Sequence, residues 1–285
     1  MHVTDKEIKE LSYMKDLYSE TMINLSWKDI SECVEKDAIV LLPLGVIEEH
    51  GPHLCVGTDI YTSLIYCKGI REKLHDNGFE SIIAPPFYWG ICQSTGGFLG
   101  SFSIRMETAR NLLVDILHSL QSFGFKKVFG INAHGDINQN IMILDSFKEC
   151  NDSNSLLYSY VFAKNIMHHY GIAGNEPHVC SIEPQTIRTS MSEEPDVHAG
   201  DIETSIINSR FPDCVHQDIA KALPATKLDN DRIMEWIFGG KTKELSSNGY
   251  LGNPKAYEAV EVEKHIEDYA ERMSRGIIEK IRATS

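Results

Sequence analysis

The sequence lacks long apolar runs. None of its 285 residues belongs to a run that approaches the roughly 20 residues of a membrane span. The first 20 residues are charged and helical in pattern, without the apolar core of a secretory signal. These absences disfavour a membrane protein or a secreted one, and we expect a cytoplasmic location.

Cysteine pairs at metal-binding spacing are also absent. The seven cysteines form no CxxC pair, and their odd number disfavours a disulfide framework or a Cys-rich zinc site. We expect most of them to be small buried residues in a reducing compartment. They lie at Cys33, Cys55, Cys67, Cys92, Cys150, Cys180 and Cys214.

Basic residues are too few to favour a polyanionic partner. The chain has 27 Lys and Arg against 41 Asp and Glu, which gives a net charge of -14. Binding to nucleic acid or to an anionic membrane depends on basic side chains, so both are disfavoured and a small-molecule substrate is expected. With no repeat or composition shift, we predict an N-terminal helical extension over 1–25 and a single catalytic domain over 26–285.

Strands and helices alternate along the sequence, which predicts an α/β fold with a mostly parallel sheet. Residues 176–195 carry three prolines and are predicted to form an irregular flap or connection. Strands are predicted at 38–44, 81–86, 126–132 and 156–162. Helices are predicted at 4–20, 27–34 behind a Ser-x-x-Asp cap, 60–74, 107–123, 141–150, 200–209 and 258–281.

The first strand leads into a loop that is rich in possible metal ligands. Glu48, Glu49, His50, His53 and Asp59 follow it within 15 residues. Glu48 and His50 are two apart, so they share a face of an extended backbone. Carboxylates with imidazoles suit zinc, manganese or iron better than calcium. The alternative is a polar loop in which Asp59 is only a helix cap.

Two later segments repeat this arrangement. His134 and Asp136 follow the strand at 126–132, and His198 and Glu203 surround the predicted helix start at 200. Alone, a His-x-Asp pair such as His134 and Asp136 is more often a capping turn. The alternative for His198 and Glu203 is a helix start with acidic residues that the helix dipole favours. Ligands of parallel sheets bind at the carboxyl ends of the strands, so the first two loops are expected to converge at one edge. The Gly-rich stretch 87–103 matches no phosphate-binding motif and is predicted to line a substrate site.

Four ordered motifs resemble those of the creatininase (creatinine amidohydrolase) family of dinuclear metal hydrolases. They read LPLGVIEEHGPHLCVGTD, NAHGD, HAGDIETS and GYLGNPKAY, and the resemblance runs from about residue 26 to the end. It implies a three-layer αβα fold with helices on both faces of the sheet. It also implies two divalent metal ions per chain, zinc or manganese with iron as a further option, and a homo-oligomer such as a hexamer or another ring.

The resemblance further implies roles for particular residues. Glu48, His50, Asp59 and His134 fall at the metal ligands, with Asp59 as the bridging carboxylate. Asp136 stands where creatininase has Glu and many relatives have Gly, so it binds a metal directly, acts through a water, or leaves that role to Glu203. His198 falls at the histidine that transfers protons. The catalytic residues implied are thus His198, Glu203 and Asp136, and the substrate-binding residues are Trp89, Cys92, Gly135 and Asp196.

Taken together, the resemblance and these residues imply a hydrolase that uses a two-metal-activated water on the C–N bond of a small cyclic amide or formamide. Creatinine itself is not expected, because Gly135 replaces a Tyr and the stretch before His198 has no tryptophan. One alternative is ring opening of a cyclic polyol ketone by C–C cleavage. Another is a non-catalytic relative that binds metal or metabolite. Glu49 and His53 are interpreted as supporting residues.

Overall fold

Five parallel strands form the centre of the protein. The structure is a computed structural model that describes residues 17–151, 156–238 and 242–284. The strands are β1 (Ile39–Leu44), β2 (Ser81–Ile83), β3 (Lys127–Asn132), β4 (Leu157–Ala163) and β5 (Val179–Ile182). Their spatial order is β2-β1-β3-β4-β5, and every neighbouring pair is parallel.

Helices cover the sheet on both sides. Ser26 begins the first helix with a reciprocal capping box to Asp29, as the Ser-x-x-Asp pattern predicts. The α-helices in the described residues are α1 (Trp27–Glu35), α2 (Thr58–Asp76), α3 (Met106–Phe123), α4 (Ile137–Asn151), α5 (Asp201–Arg210), α6 (Gln217–Ala222), α7 (Asn230–Phe238), α8 (Thr242–Leu245) and α9 (Val262–Thr284). Short 3-10 helices lie at Met22–Asn24, Lys164–Tyr170, Pro212–Cys214 and Pro254–Ala259.

Alternate residues of the buried strands point into two separate cores. Val40 and Leu42 of β1 pack with side chains of α3 and α4, such as Leu117 and Phe147. Ile39 and Leu41 face the opposite way and pack with α2 and α9. A strand buried on both faces is apolar throughout, which is why β1 reads as an unbroken apolar run. The three-layer αβα architecture and the parallel sheet are therefore confirmed.

The strand order places a crevice where the candidate ligands lie. The chain leaves β1 towards β2 on one side, and β3 is added on the other side of β1. The connections above β1 and β3 therefore diverge, and ligands of open α/β sheets bind at such a switch point. Register pairs Leu44 with Asn132, so the two loops begin side by side at the carboxyl edge.

One prediction about the fold is wrong. Residues 176–195 were predicted to be irregular, yet Val179–Ile182 forms β5 and pairs with β4. This strand is short, lies at the edge of the sheet and stands between Pro177 and Pro184, so its pattern is masked by flanking turn residues. Helices α6, α7 and α8 were also not predicted.

The predicted helix over 4–20 lies largely outside the described residues. Within them, Thr21 forms a parallel bridge with Ile83, and Met22 is buried in the core beside β1. The domain boundary after residue 25 remains a prediction. Across the described ranges, no helix has the length and apolar character needed to cross a bilayer.

Candidate metal centre

The loop after β1 is folded so that its ligands meet the start of α2. The backbone N–H of Glu48 donates to the carbonyl of Val56 at 3.0 Å and closes the loop. A Cβ at Gly45 would lie 3.0 Å from the Cβ of Asp59, so glycine at this strand end lets the first turn of α2 approach. Glu48, His50 and Asp59 are all buried as a result.

Asp59 lies between the two histidines. Its Oδ1 is 3.2 Å from Nε2 of His50, and its Oδ2 is 3.2 Å from Nδ1 of His134. Nδ1 of His134 is also 2.9 Å from Oε2 of Glu48. Each ring is oriented through its other nitrogen, His50 by the carbonyl of Glu48 at 3.1 Å and His134 by the carbonyl of Ile91 at 3.1 Å. Backbone partners of this kind fix the nitrogen that a histidine ligand presents to a metal.

The carboxylates of the cluster stabilise positive charge on its histidines. Burial lowers the pKa of His50, but Asp59, Glu203 and Glu48 outweigh it and raise that pKa to about 10. Burial likewise opposes charge on His134, yet Glu48 and Asp59 raise its pKa well above the usual range. Burial raises the pKa of Glu48, but the imidazoles of His134 and His198 hold that pKa well below normal. The carboxylates thus create a field that attracts protons or a metal cation in their place.

The side-chain atoms in this field fit a metal. Oε2 of Glu48, Nε2 of His50 and Oδ2 of Asp59 are buried, and among the described residues none of them has a hydrogen-bond partner outside the cluster. Three groups bring their ligand atoms within 4.8 Å of one another. They are Glu48 with Cys92 and His134, Glu48 with His50 and His198, and His50 with Asp59 and Glu203. Nitrogen and oxygen donors of this mixture suit zinc or manganese.

Asp136 makes a different set of contacts. Its Oδ2 accepts hydrogen bonds from the backbone N–H groups of Gln93 at 2.8 Å and Ser94 at 3.2 Å. Its Oδ1 accepts from Asn138 at 2.8 Å and Gln139 at 3.2 Å, in the first turn of α4. The carboxylate caps this helix and anchors the loop at 93–94, and it belongs to none of the three groups of ligand atoms.

Glu203 reaches the cluster from the first turn of α5. Its Oε2 is 3.8 Å from Nε2 of His50 and accepts a hydrogen bond from the N–H of Ala199 at 2.5 Å. His198, just before this helix, is buried, and its Nε2 lies 2.9 Å from the carbonyl oxygen of Glu49. The third segment therefore brings Glu203 and His198 to the same crevice.

Cys92 is buried beside Glu48. Its Sγ donates to Oε1 of Glu48 at 3.4 Å, and burial, followed by the charge of Glu48, raises the thiol pKa far above its ordinary value. A thiol held protonated in this way is a poor nucleophile. Oγ1 of Thr95 donates to the same carboxylate oxygen. Thr95 carries no sequence signal that singles it out, and only the folded loop shows its role.

A cavity of about 230 Å³ opens above the cluster. Glu48, Asp59, His134, His198 and Glu203 contribute to its wall, together with Gly135 and Asp136. Of the four predicted substrate-binding residues, Gly135 lines this wall, whereas Trp89, Cys92 and Asp196 do not. Trp89 is 41% exposed and packs edge-on against Phe102, and Asp196 accepts a hydrogen bond from Ile202 at 2.8 Å behind the helix start.

Glu49 and His53 lie around the cluster. Oε2 of Glu49 accepts from the N–H of Gly51 at 2.9 Å, and its Oε1 is 3.7 Å from Nε2 of His198. Nε2 of His53 contacts Oγ1 of Thr204 at 3.0 Å. Burial, followed by the charge of His50, lowers the pKa of His53 to about 4, so this ring is neutral at pH 7.

Comparison with known proteins identifies the family. The family model described as creatinine amidohydrolase matches residues 23–277. The chain is 28% identical to the creatinine amidohydrolase of Pseudomonas putida, over 39% of this chain and 43% of that protein. It is 27% identical to the mycofactocin precursor peptide peptidase of Mycolicibacterium smegmatis, over 79% and 78%. It is 22% identical to the 3-dehydro-scyllo-inosose hydrolase of Thermotoga maritima, over 94% and 85%.

Solved structures share the fold. A crystal structure of creatinine amidohydrolase (creatininase) matches with a TM-score of 0.65 and 21% identity, over 92% of this chain and 96% of the other. Similar structures are described as a manganese creatininase and as a zinc-zinc type. The match with creatinine amidohydrolase in sequence spans less than half of that protein, whereas the structural match spans nearly all of it.

Proposed function

The chain belongs to the creatininase family, and we propose that it hydrolyses the C–N bond of a small cyclic amide or formamide with two divalent metal ions. The observation that carries the proposal is the position of Asp59 between His50 and His134, with 3.2 Å from one carboxylate oxygen to each ring. A carboxylate with both oxygens directed at separate ligands is suited to bridge two ions.

The contacts divide the remaining ligands between two sites. Glu48 lies with His134 on one side of Asp59, and Glu203 lies with His50 on the other. We assign the fifth ligand to Glu203 instead of Asp136, because the oxygens of Asp136 already accept backbone hydrogen bonds. Zinc and manganese are the expected ions. When bound, such ions lower the pKa of a water and polarise a carbonyl oxygen.

His198 is assigned to proton transfer. It lines the same cavity as Asp59, and its Nε2 is held by the carbonyl of Glu49 at 2.9 Å. Cleavage of an amide leaves a nitrogen that needs a proton, and imidazole is the side chain that exchanges protons near neutral pH. Glu203 keeps the segment before α5 in place through the N–H of Ala199. Asp136 supports the opposite wall through the loop at 93–94.

Ring opening of a cyclic polyol ketone is the second candidate. It is favoured by the length of the match with the Thermotoga maritima hydrolase, which covers 94% of this chain. The same metals would serve it, and only the leaving group differs. A non-catalytic role is disfavoured, because a decayed site would be expected to have lost at least one of Glu48, His50, Asp59 and His134.

Metal analysis and substrate panels test the proposal. Purified protein supplied with zinc or manganese is expected to bind two ions per chain, and Asp59→Asn is expected to lose both. Asp145→Asn, on the exposed face of α4, is the matched control that should keep both. Amide and formamide substrates are then compared with cyclic polyol ketones. Protein that binds no transition metal would refute the dinuclear site, and turnover of ketones alone would favour the second candidate.

We further propose that the protein forms a homo-oligomer, a hexamer or another ring. Support comes from apolar side chains exposed on the loop between β2 and α3, where Leu99 is 99% exposed and Phe102 is 52% exposed. Exposed apolar groups that lie close together commonly mark an interface. Light scattering on the wild type is expected to show an oligomer that Leu99→Asp weakens. A monomeric wild type would contradict this assignment.

A further inference from the structure

A second cavity, of about 520 Å³, adjoins the metal cavity. The two share Ala133, His134 and Gly135 as wall residues. The second cavity extends from this shared wall across the carboxyl ends of β3, β4 and β5 to α9. Its size exceeds that of the metal cavity, so a molecule with its scissile bond at His134 has room for a long substituent.

Gly135 is one of the three residues that line both cavities. A Cβ built on this residue would have no atom within 4 Å, so a side chain here would project into open space. The backbone of Gly135 is outside the left-handed region, so other residues can adopt its conformation. Glycine is therefore not required for folding at this position, and a larger side chain would occupy space that glycine leaves open.

Arg272 is held rigidly in the wall of the second cavity. Its Nε donates to Oδ2 of Asp268 at 2.7 Å, and its Nη1 donates to the carbonyl of Glu183 at 3.1 Å. The guanidinium carbon lies 5.7 Å from the ring centre of Tyr269. The side chain is only 12% exposed. These contacts use two of the three nitrogens, and they leave Nη2 as the donor for a ligand.

The rest of the lining is apolar, aromatic or polar, and none of it carries a fixed charge. Among the described residues that line this cavity, Arg272 alone bears a permanent charge. Burial, followed by the charge of Arg272, lowers the pKa of His265 to about 4, so His265 is neutral at pH 7. Tyr160, Asn140 and Tyr170 form a hydrogen-bonded group in which Asn140 contacts both phenols. Because the one permanent cation is already paired with Asp268, this wall suits a monoanion better than a phosphate dianion.

We propose that the second cavity binds a substituent of the substrate that ends in a carboxylate, with Arg272 as its anchor and Gly135 as the residue that admits it. The inference rests on the proposed amide hydrolysis and narrows its substrate class. The substrate is an open-chain formamide of an amino acid or short peptide acid. Arginine suits this role because it presents planar N–H donors to carboxylate oxygens.

Paired substrates test the proposal. N-formyl dipeptides and their C-terminal carboxamides differ only in the terminal charge. Metal-replete wild type is expected to prefer the acid by about tenfold to a hundredfold in kcat/KM, the worth of one charged hydrogen bond. Arg272→Gln is expected to bring the acid-to-carboxamide ratio to about one, and Arg272→Lys to restore part of it. Arg275→Gln, an exposed arginine three residues away, should leave the ratio unchanged.

Gly135 is tested by substrate length. Gly135→Tyr is expected to lower the ratio of kcat/KM for the N-formyl dipeptide to that for N-methylformamide by about tenfold or more, because the ring fills the passage. Gly135→Ala adds one carbon and should keep most of the ratio. Equal ratios in Gly135→Tyr and wild type would show that the substrate does not pass this residue.

Binding separates this inference from the proposed function. If the enzyme hydrolyses no member of the panel, the proposed amide hydrolysis fails. Calorimetry with N-acetylglycylglycine and its carboxamide then tests whether the second cavity binds a carboxylate. Tighter binding of the acid that is lost in Arg272→Gln supports the carboxylate site. Equal binding of the two compounds by wild type overturns it. An acid preference that survives in Arg272→Gln places the carboxylate on the metals and also overturns it.

Discussion

Replacement of Asp136 by alanine is expected to destabilise the protein while both metal ions remain bound. Its carboxylate accepts backbone hydrogen bonds from Gln93, Ser94, Asn138 and Gln139, and the residue is 5% exposed. Two of these bonds cap α4, and the other two tie the loop at 93–94 to the start of that helix. Removal of the carboxylate therefore leaves several N–H groups without their acceptor.

The size of the effect follows from these contacts. Loss of a helix cap costs about 1 kcal/mol. Loss of two hydrogen bonds to a charged acceptor costs about 1 kcal/mol each when water reaches the loop. The expected loss is therefore about 3 kcal/mol in the free energy of unfolding, or a fall in Tm of about 6 to 10 °C for a domain of this size. Asp136→Asn keeps one acceptor oxygen and should lie between alanine and wild type.

The assay combines unfolding with metal counting. Urea denaturation is carried out on metal-free protein, because bound metal adds its own stabilisation. Metal content is measured after reloading. Glu203→Ala is expected to lose one metal ion. Its free energy of unfolding without metal should change less than that of Asp136→Ala, since Glu203 accepts only one backbone hydrogen bond among those described. Loss of one ion in Asp136→Ala at unchanged metal-free stability would refute the reasoning.

Two further predictions concern the surroundings of the site. The pKa of His265 is lowered from 6.5 to about 4, so its neutral form stabilises the fold above pH 6.5 and this contribution is lost as pH falls towards 4. His265→Gln should reduce the change in the free energy of unfolding across this pH window, measured by urea denaturation, by up to about 3 kcal/mol. An unchanged pH dependence would contradict the assignment. Gly249→Ala should lower kcat, because a Cβ there would overlap the carboxylate of Glu49 and displace the partner of His198. Gly78→Ala is the matched control, because Gly78 also has a positive φ but an added Cβ there would contact nothing. Equal kcat values in the two variants would refute the steric argument.

The sequence was sufficient to predict most of the sheet and the loops that carry the site. β1 and β3 are apolar runs that end in polar turns, and this pattern arises because a central strand is buried on both faces. The capping box at Ser26 was also predictable from the sequence, since it depends on two residues three positions apart. The edge strand β5 was not predicted, because four residues that pair on one side leave only a weak pattern.

What the sequence determined about this protein was the residue types and their spacing: carboxylates and imidazoles that follow apolar strands in family-like motifs. Tertiary structure decided which of those groups converge. Asp136 and Glu203 look equivalent as acids near a histidine, yet Asp136 bonds to backbone groups more than 40 residues away while Glu203 faces His50. The second cavity likewise combines residues from β3, β4, β5 and α9. Hydrogen-bond partners and cavities depend on segments distant along the chain, and local periodicity carries no information about them.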